Sequence, residues 1–365
     1  MAAKRSFDRI IFTVVVFLSA AGLLMVSSAS AVISQRQFGT PYHFLFKQMG
    51  AMAVGLALMA LLMRIDYRWL QNPWVARLPL AITTVMLVGA LVSAPVNGTH
   101  RWIRVLGVSL QPSEFAKLAL LIFLADLLVR RQAELQELRG PVLGALVAAG
   151  VVVALVAVQP DLGTALAVAA LAFGVLFAAG LRWRYIVAPL LIVIAAGAVM
   201  VMSNEYQWRR VRTFFNPTED PLGAGYQVNQ SVLAVASGGA MGRGLGEGGQ
   251  KLFFLPYPHT DFIFSNIAEE LGLVGALTVV AAFLVLAARG LIVSARAPNM
   301  YLSLIACGVT VMLAGQAFVN MGVCLGMLPA KGLPLPFISY GGSSLMTSLI
   351  AAALLLNASQ HRRAS

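Results

Sequence analysis

The chain alternates long apolar stretches with short polar ones. Runs of about 20 apolar residues, enough to cross a roughly 30 Å hydrocarbon layer as helix, recur near residues 10–31, 45–64, 78–96, 112–129, 141–158, 162–180, 185–202, 263–288, 300–323 and 338–357. The pattern predicts an all-α polytopic membrane protein with ten transmembrane helices, one unit over residues 1–365. Connections are short except one. Residues 203–262 form a large loop between helices 7 and 8. Lys4, Arg5 and Arg9 precede the first run, which is longer than a typical signal-peptide core and so reads as a retained span.

Composition agrees with this picture: 59% of residues are hydrophobic, and the mean hydropathy of +0.83 exceeds what a soluble domain of this length can hide. Charge adds an orientation. With the N-terminus inside, cytoplasmic segments hold fifteen of the 26 basic residues. Of the other eleven, Arg209, Arg210, Arg212, Arg243 and Lys251 lie in the long loop, which the positive-inside rule does not count. Both termini are therefore expected in the cytoplasm and loop 203–262 outside. The net charge of +12 comes mostly from these flanks, and no soluble basic domain is present to grip nucleic acid. Cys307 and Cys324, about 25 Å apart on one continuous helix, are too distant to pair, and no metal-ligand spacing is visible.

Polar residues inside the apolar pattern carry the candidate chemistry. "PHTDFIFSNIAEELG" (258–272) holds Asp261, Glu269 and Glu270, and an acid at mid-bilayer costs roughly 2.5–3.5 kcal/mol on insertion scales. "NGTHRWIRVLGVSLQPSEFAKL" (97–118) puts Pro112 in a first helical turn, Ser109 and Gln111 just outside it, and Glu114 and Lys117 on one face at i,i+3. "LPAKGLPLPFISYGGSSL" (328–345) reads as an irregular connection, which survives near a membrane only when buried or lining a wet cavity. All three fall on the outer face. Carboxyls beside guanidiniums there suit an anionic amphiphile such as a lipid-linked pyrophosphate: arginines meet the phosphates and a carboxylate removes a hydroxyl proton.

Each residue also has a structural reading. Asp261 suits a helix N-cap as well as a base, and Glu114–Lys117 an ion pair anchoring a helix end. Glu269 and Glu270 read as a polar pair inside the bundle, or as a proton path. His259 suits a structural hydrogen-bonder, Asp161 a cap of the sixth span, and "SSASA" (27–31) close helix packing. The glycine run 238–249 is not a Walker loop, since no Gly-Lys-Ser/Thr follows it. Within the long loop, residues 229–237 are expected to form an amphipathic helix lying along the membrane interface.

"QPSEFAKL", "GAGYQVNQS", "LPYPHTDFIFSNIAEELGLVG" and "LPAKGLPLPFISYGGSSL" closely resemble, in order and over essentially the whole chain, the SEDS family (shape, elongation, division and sporulation) of bacterial membrane proteins. "FAKL", "SSASA" and "LPAKG" look more like its division branch than its elongation branch. The resemblance implies ten-span enzymes of the bacterial inner membrane, at the division site, that polymerise lipid II into glycan strands with a class B penicillin-binding transpeptidase and other division-machinery proteins. It implies that Asp261 of "HTDF" is the general base on the sugar 4-hydroxyl of an acceptor lipid II, which attacks the anomeric carbon of the growing chain with inversion. Glu114, Lys117 and Arg210 carry over as substrate-binding residues, joined by Gln111, His259, Thr260 and Ser343. Lys117 and Arg210 would offset the charge on the departing undecaprenyl pyrophosphate, with a divalent cation (Mg or Mn) as an optional helper. Relatives often have acids where this chain has Phe253 and Tyr257, and threonine where it has Ala330. A lipid II flippase and a non-catalytic division scaffold remain the rival readings.

Overall fold

In a computed structural model of the protein, residues 6–93, 99–105, 108–215, 225–249 and 258–361 are described. Their helices are α1 (Arg9–Phe38), α2 (His43–Arg64), α3 (Tyr67–Leu70), α4 (Pro73–Val92), α5 (Pro112–Arg130), α6 (Pro141–Val158), α7 (Leu162–Ala178), α8 (Arg184–Ser203), α9 (Glu205–Phe215), α10 (Tyr226–Gly238), α11 (Ile263–Ala295), α12 (Met300–Cys324) and α13 (Gly342–Ser359). Ten of these coincide with the ten apolar runs. Eight are long and apolar enough to cross a membrane, and α7 is apolar but has 17 residues. The tenth, α5, carries Glu114, Lys117, Asp126 and Arg130.

Local chemistry sets the ends. Pro73, Pro112 and Pro141 open α4, α5 and α6 at positions where the missing N–H costs nothing. Asp8, Asn72, Asp161 and Asn299 cap α1, α4, α7 and α12 with side-chain oxygens. Depth follows composition: 83% of the apolar window of α13 is buried, against 6% for α8, so α13 is central and α8 peripheral. The Asp8 N–H donates to Ser359 Oγ at 2.9 Å and Asp8 Oδ2 meets Arg289 Nη2 at 2.5 Å. The start of α1 and the end of α13 thus lie together.

The expected helix of the long loop is present as α10, and it packs on α11 and α12. Ser231, Ala234 and Gly238, at i, i+3 and i+7, form a buried small-residue face that admits close approach. The Ser231 hydroxyl donates to the Cys324 carbonyl at 2.7 Å and lies 2.5 Å from Ser265 Oγ. A short antiparallel hairpin, β1 (Ile103–Val105) with β2 (Val108–Leu110), is an element that the apolar pattern does not announce. Both cysteines are free. Phe253 and Tyr257 lie outside the described residues.

If α10 is a packed element, Ser231→Leu overfills its contact with Ser265 and Cys324 and destabilises the protein by about 1–3 kcal/mol, read as a lower melting temperature in detergent. An unchanged melting temperature would contradict the packed position.

Candidate active site

The three outer segments converge. Asp261 sits in the turn before α11, whose N-cap is Phe262 with no side-chain cap, so the carboxyl does not serve as a helix cap. Its main chain is tightly held: Asn320 Nδ2 donates to the carbonyls of Asp261 (2.8 Å) and Leu333 (2.7 Å), and Cys324 Sγ lies 3.6 Å from the Asp261 carbonyl. One turn earlier on α12, Gln316 Nε2 donates to the Pro334 carbonyl at 2.8 Å. Spacing of i, i+4 and i+8 puts Gln316, Asn320 and Cys324 on one face. That face pins both the "HTD" turn and the 328–340 connection.

The connection reinforces the turn from the other side. Ser339 Oγ donates to the Thr260 carbonyl at 2.6 Å, and Tyr340 N donates to the His259 carbonyl at 2.9 Å. Gly332 faces the carboxyl so closely that a Cβ there would lie 3.1 Å from Asp261 Oδ2. The His259 ring is buried beside Phe44 and Tyr340. Burial lowers its pKa to about 4 and leaves a neutral imidazole at neutral pH.

Charges around Asp261 come chiefly from residues that the sequence reading did not assign to the site. Burial raises its pKa to about 6; Arg101 and Arg210 pull it down, and Asp161 pushes it up. Asp161 does cap α7, accepting from Thr164 N at 3.1 Å, but its other oxygen pairs with Arg101 Nη1 at 3.2 Å and lies 3.5 Å from Gln111 Nε2. Arg210 donates to the Ala330 carbonyl at 3.3 Å, a main-chain contact that is indifferent to alanine or threonine there. Lys331, beside Gly332, is half-buried and burial lowers its pKa.

Glu114 and Lys117 pair as expected, at 2.9 Å, but are buried among helices rather than anchored at a wet helix end. Lys117 Nζ also donates to Gln316 Oε1 at 2.7 Å, and Thr347 Oγ1 lies 3.2 Å from Glu114 Oε2. These partners belong to α5, α12 and α13, not to the Asp261 turn. Ser343 Oγ accepts from Gln111 N at 3.0 Å, tying the start of α13 to that of α5. Lys117 therefore reaches Asp261 through Gln316 and the connection rather than by contact.

Among the described residues no group of three or more His, Cys, Asp or Glu side chains is placed to hold a metal ion. The Asp161 oxygens are engaged by Arg101, Gln111 and Thr164, and Asp261 has guanidinium neighbours. Among the described residues, these carboxyls by themselves do not make up a divalent-cation site.

Lys117→Ala should destabilise the fold by about 3–5 kcal/mol, because Glu114 is then buried without its cation. The double substitution Glu114→Gln with Lys117→Met should recover most of that loss. Thermal unfolding in detergent distinguishes the outcomes; a stable single variant would mean that the pair is hydrated.

The sequence profile of the FtsW/RodA/SpoVE family, described as cell cycle protein, matches residues 8–364. The probable peptidoglycan glycosyltransferase FtsW of Geobacter metallireducens is 42% identical over 97% of this chain and 94% of its own. Among solved structures, a chain from work on the structural coordination of polymerization and crosslinking by a peptidoglycan synthase complex superposes with a TM-score of 0.77, at 32% identity and 98% coverage of both chains. The rod shape determining protein RodA of Thermus thermophilus does so with 0.71, at 29% identity and 98% of both. With the profile spanning nearly the whole chain and the fold and sequence both matching, the chain belongs to the FtsW/RodA/SpoVE family of cell cycle proteins.

Proposed function

We propose that the chain is a peptidoglycan glycosyltransferase of septal cell-wall synthesis that polymerises lipid II, with Asp261 as its general base. The observation that carries this reading is the Asp261 carboxyl: kept from capping α11, raised to a pKa of about 6 by burial, and set between Arg101 and Arg210. A base with that pKa is ionised at neutral pH yet stronger than an exposed carboxylate. Asp261 accepts the proton of the acceptor sugar's 4-hydroxyl as its oxygen bonds to the anomeric carbon of the growing chain. The bond from that carbon to the pyrophosphate breaks with inversion, and the leaving undecaprenyl pyrophosphate meets the two guanidiniums. Lys117, Glu114, Gln111, His259, Thr260 and Ser343 act by holding the turn and the 328–345 connection in register.

The reading carries ten crossings of the bacterial inner membrane at the division site, both termini in the cytoplasm and loop 203–262 outside. Positive-inside charge and the meeting of Asp8 with Ser359 support it. A class B penicillin-binding transpeptidase is the proposed partner, supported by likeness to a chain from a complex that couples polymerization with crosslinking.

Asp261→Asn in purified protein should fold, bind lipid II and lose polymerisation by roughly 10²–10⁴-fold; retained glycan synthesis would remove Asp261 from the chemistry. The pH profile gives an independent check. Below the pKa the carboxyl is protonated and takes no proton, so the rate should climb with pH to half its plateau near pH 6. Arg101→Ala removes a charge that lowers this pKa and should move the midpoint up. Asp161→Asn removes one that raises it and should move the midpoint down. Midpoints that ignore both changes would assign the titration to another group.

A further inference from the structure

Three stretches of the sequence take no part in the site: the small residues 27–31, the glycine run 238–249 and the acids Glu269 and Glu270. They meet in one place. Helix α11 is broken at Gly272, with φ 68° and ψ −165°, a conformation that suits glycine. Such a break strands the carbonyls before it and the N–H groups after it. The glycine run supplies the missing partners. Arg243 N and Gly244 N donate to the carbonyls of Glu269 and Glu270, both at 3.0 Å, while Leu273 N and Val274 N donate to the carbonyls of Gly239 (2.9 Å) and Ala240 (3.3 Å).

The two carboxyls complete the seam. Gly249 N donates to Glu269 Oε1 at 2.8 Å and Gly246 N to Glu270 Oε2 at 3.0 Å; Ser28 Oγ of α1 lies 2.7 and 2.8 Å from the Glu270 oxygens. Both acids are essentially fully buried. Two of its glycines have no room for a side chain: a Cβ at Gly242 would lie 2.2 Å from the Glu270 carbonyl oxygen and one at Gly238 1.9 Å from the Ala268 carbonyl oxygen. The seated run continues α10, whose Ser231 holds the Cys324 carbonyl, and the Cys324 thiol touches the Asp261 carbonyl.

We propose that Glu269 and Glu270 are positioning residues for glycosyl transfer: with Ser28 they seat the glycine run in the break of α11, and so hold the long loop that carries Arg210 and Asp261. The role rests on the polymerase reading above. A proton path would need these carboxyls to exchange partners during turnover, whereas here they are engaged by loop N–H groups, by Ser28 and, at Glu269 Oε1, by Arg243 Nη1 of the same run at 3.6 Å.

Glu269→Gln, Glu270→Gln and Ser28→Ala, each in nanodiscs, test this by hydrogen exchange and by polymerisation kinetics. Amides of 239–249 and of Leu273 and Val274 should exchange about 10- to 100-fold faster in the glutamine variants, the worth of one hydrogen bond to a charged group, with α5 and α13 unchanged. Turnover efficiency, kcat/KM, should fall at least about tenfold, KM for lipid II should rise, and the pH midpoint should move up as Arg210 leaves Asp261. A smaller folded fraction would lower the rate plateau and move neither KM nor midpoint, which would overturn the positioning role. So would faster exchange with unaltered kinetics, or lost turnover with unaltered exchange. Should the glutamine variants fail to fold, Ser28→Ala, which keeps both carboxyls, decides on the same readouts with smaller changes. No polymerisation by the unaltered protein would overturn the polymerase reading and this role with it, while exchange would still report the seam.

Discussion

A carboxyl withdrawn from water costs several kcal/mol unless donors replace the water it has lost. Much of this molecule is arranged around that constraint. Asp8 is met by Arg289, Glu114 by Lys117, Asp126 by Arg130 and Asp161 by Arg101. Glu269 and Glu270 are met by backbone N–H groups, with Arg243 added at Glu269 and Ser28 at Glu270. Asp261 differs: no helix start caps its carboxyl, and burial raises its proton affinity by more than Arg101 and Arg210 lower it. A poised base results when burial outweighs the charges arranged around one acid.

The same constraint governs the irregular backbone beside it. Residues 328–340 are not helical, so their polar main-chain groups need partners drawn from side chains or from other turns. Gln316 and Asn320 reach up from α12, Ser339 reaches back to Leu335 N and across to Thr260, and Gln48 of α2 holds the Ser339 carbonyl and Gly341 N. Four polar side chains, Gln316, Asn320, Ser339 and Gln48, therefore hold this backbone and the Asp261 turn in place. Lys117 holds Gln316, which explains why it is buried and yet bears on the site.

What the sequence disclosed and what it hid follow the kind of partner involved. The long helices were legible because apolar runs of membrane length have few other uses, and Asp261 was legible as an acid beside an apolar run. The Arg101–Asp161 pair was not: the two lie far apart along the chain, and the helix-cap role of Asp161, which is real, gave no reason to look further. Glu269 and Glu270 could be seen to need partners, but those partners are mainly glycine N–H groups, and a glycine run carries no side-chain mark of what it donates to. Helix α10 was legible as a helix. Its seat was missed because Ser231, Ala234 and Gly238 look merely small until a neighbouring helix is laid against them.

The seam between the glycine run and α11 also bears on biogenesis. Synthesis runs from the N-terminus, so residues 238–249 leave the ribosome before Glu269 and Glu270 do. On entering the bilayer alone, α11 would carry two acids and a broken hydrogen-bond ladder, each acid costing roughly 2.5–3.5 kcal/mol on insertion scales. The cheaper route is for the finished glycine run to meet the first half of α11 as that helix forms, so that each supplies the other's missing hydrogen-bond partners. Ser28, already installed in α1, would then be the first bundle residue to receive it.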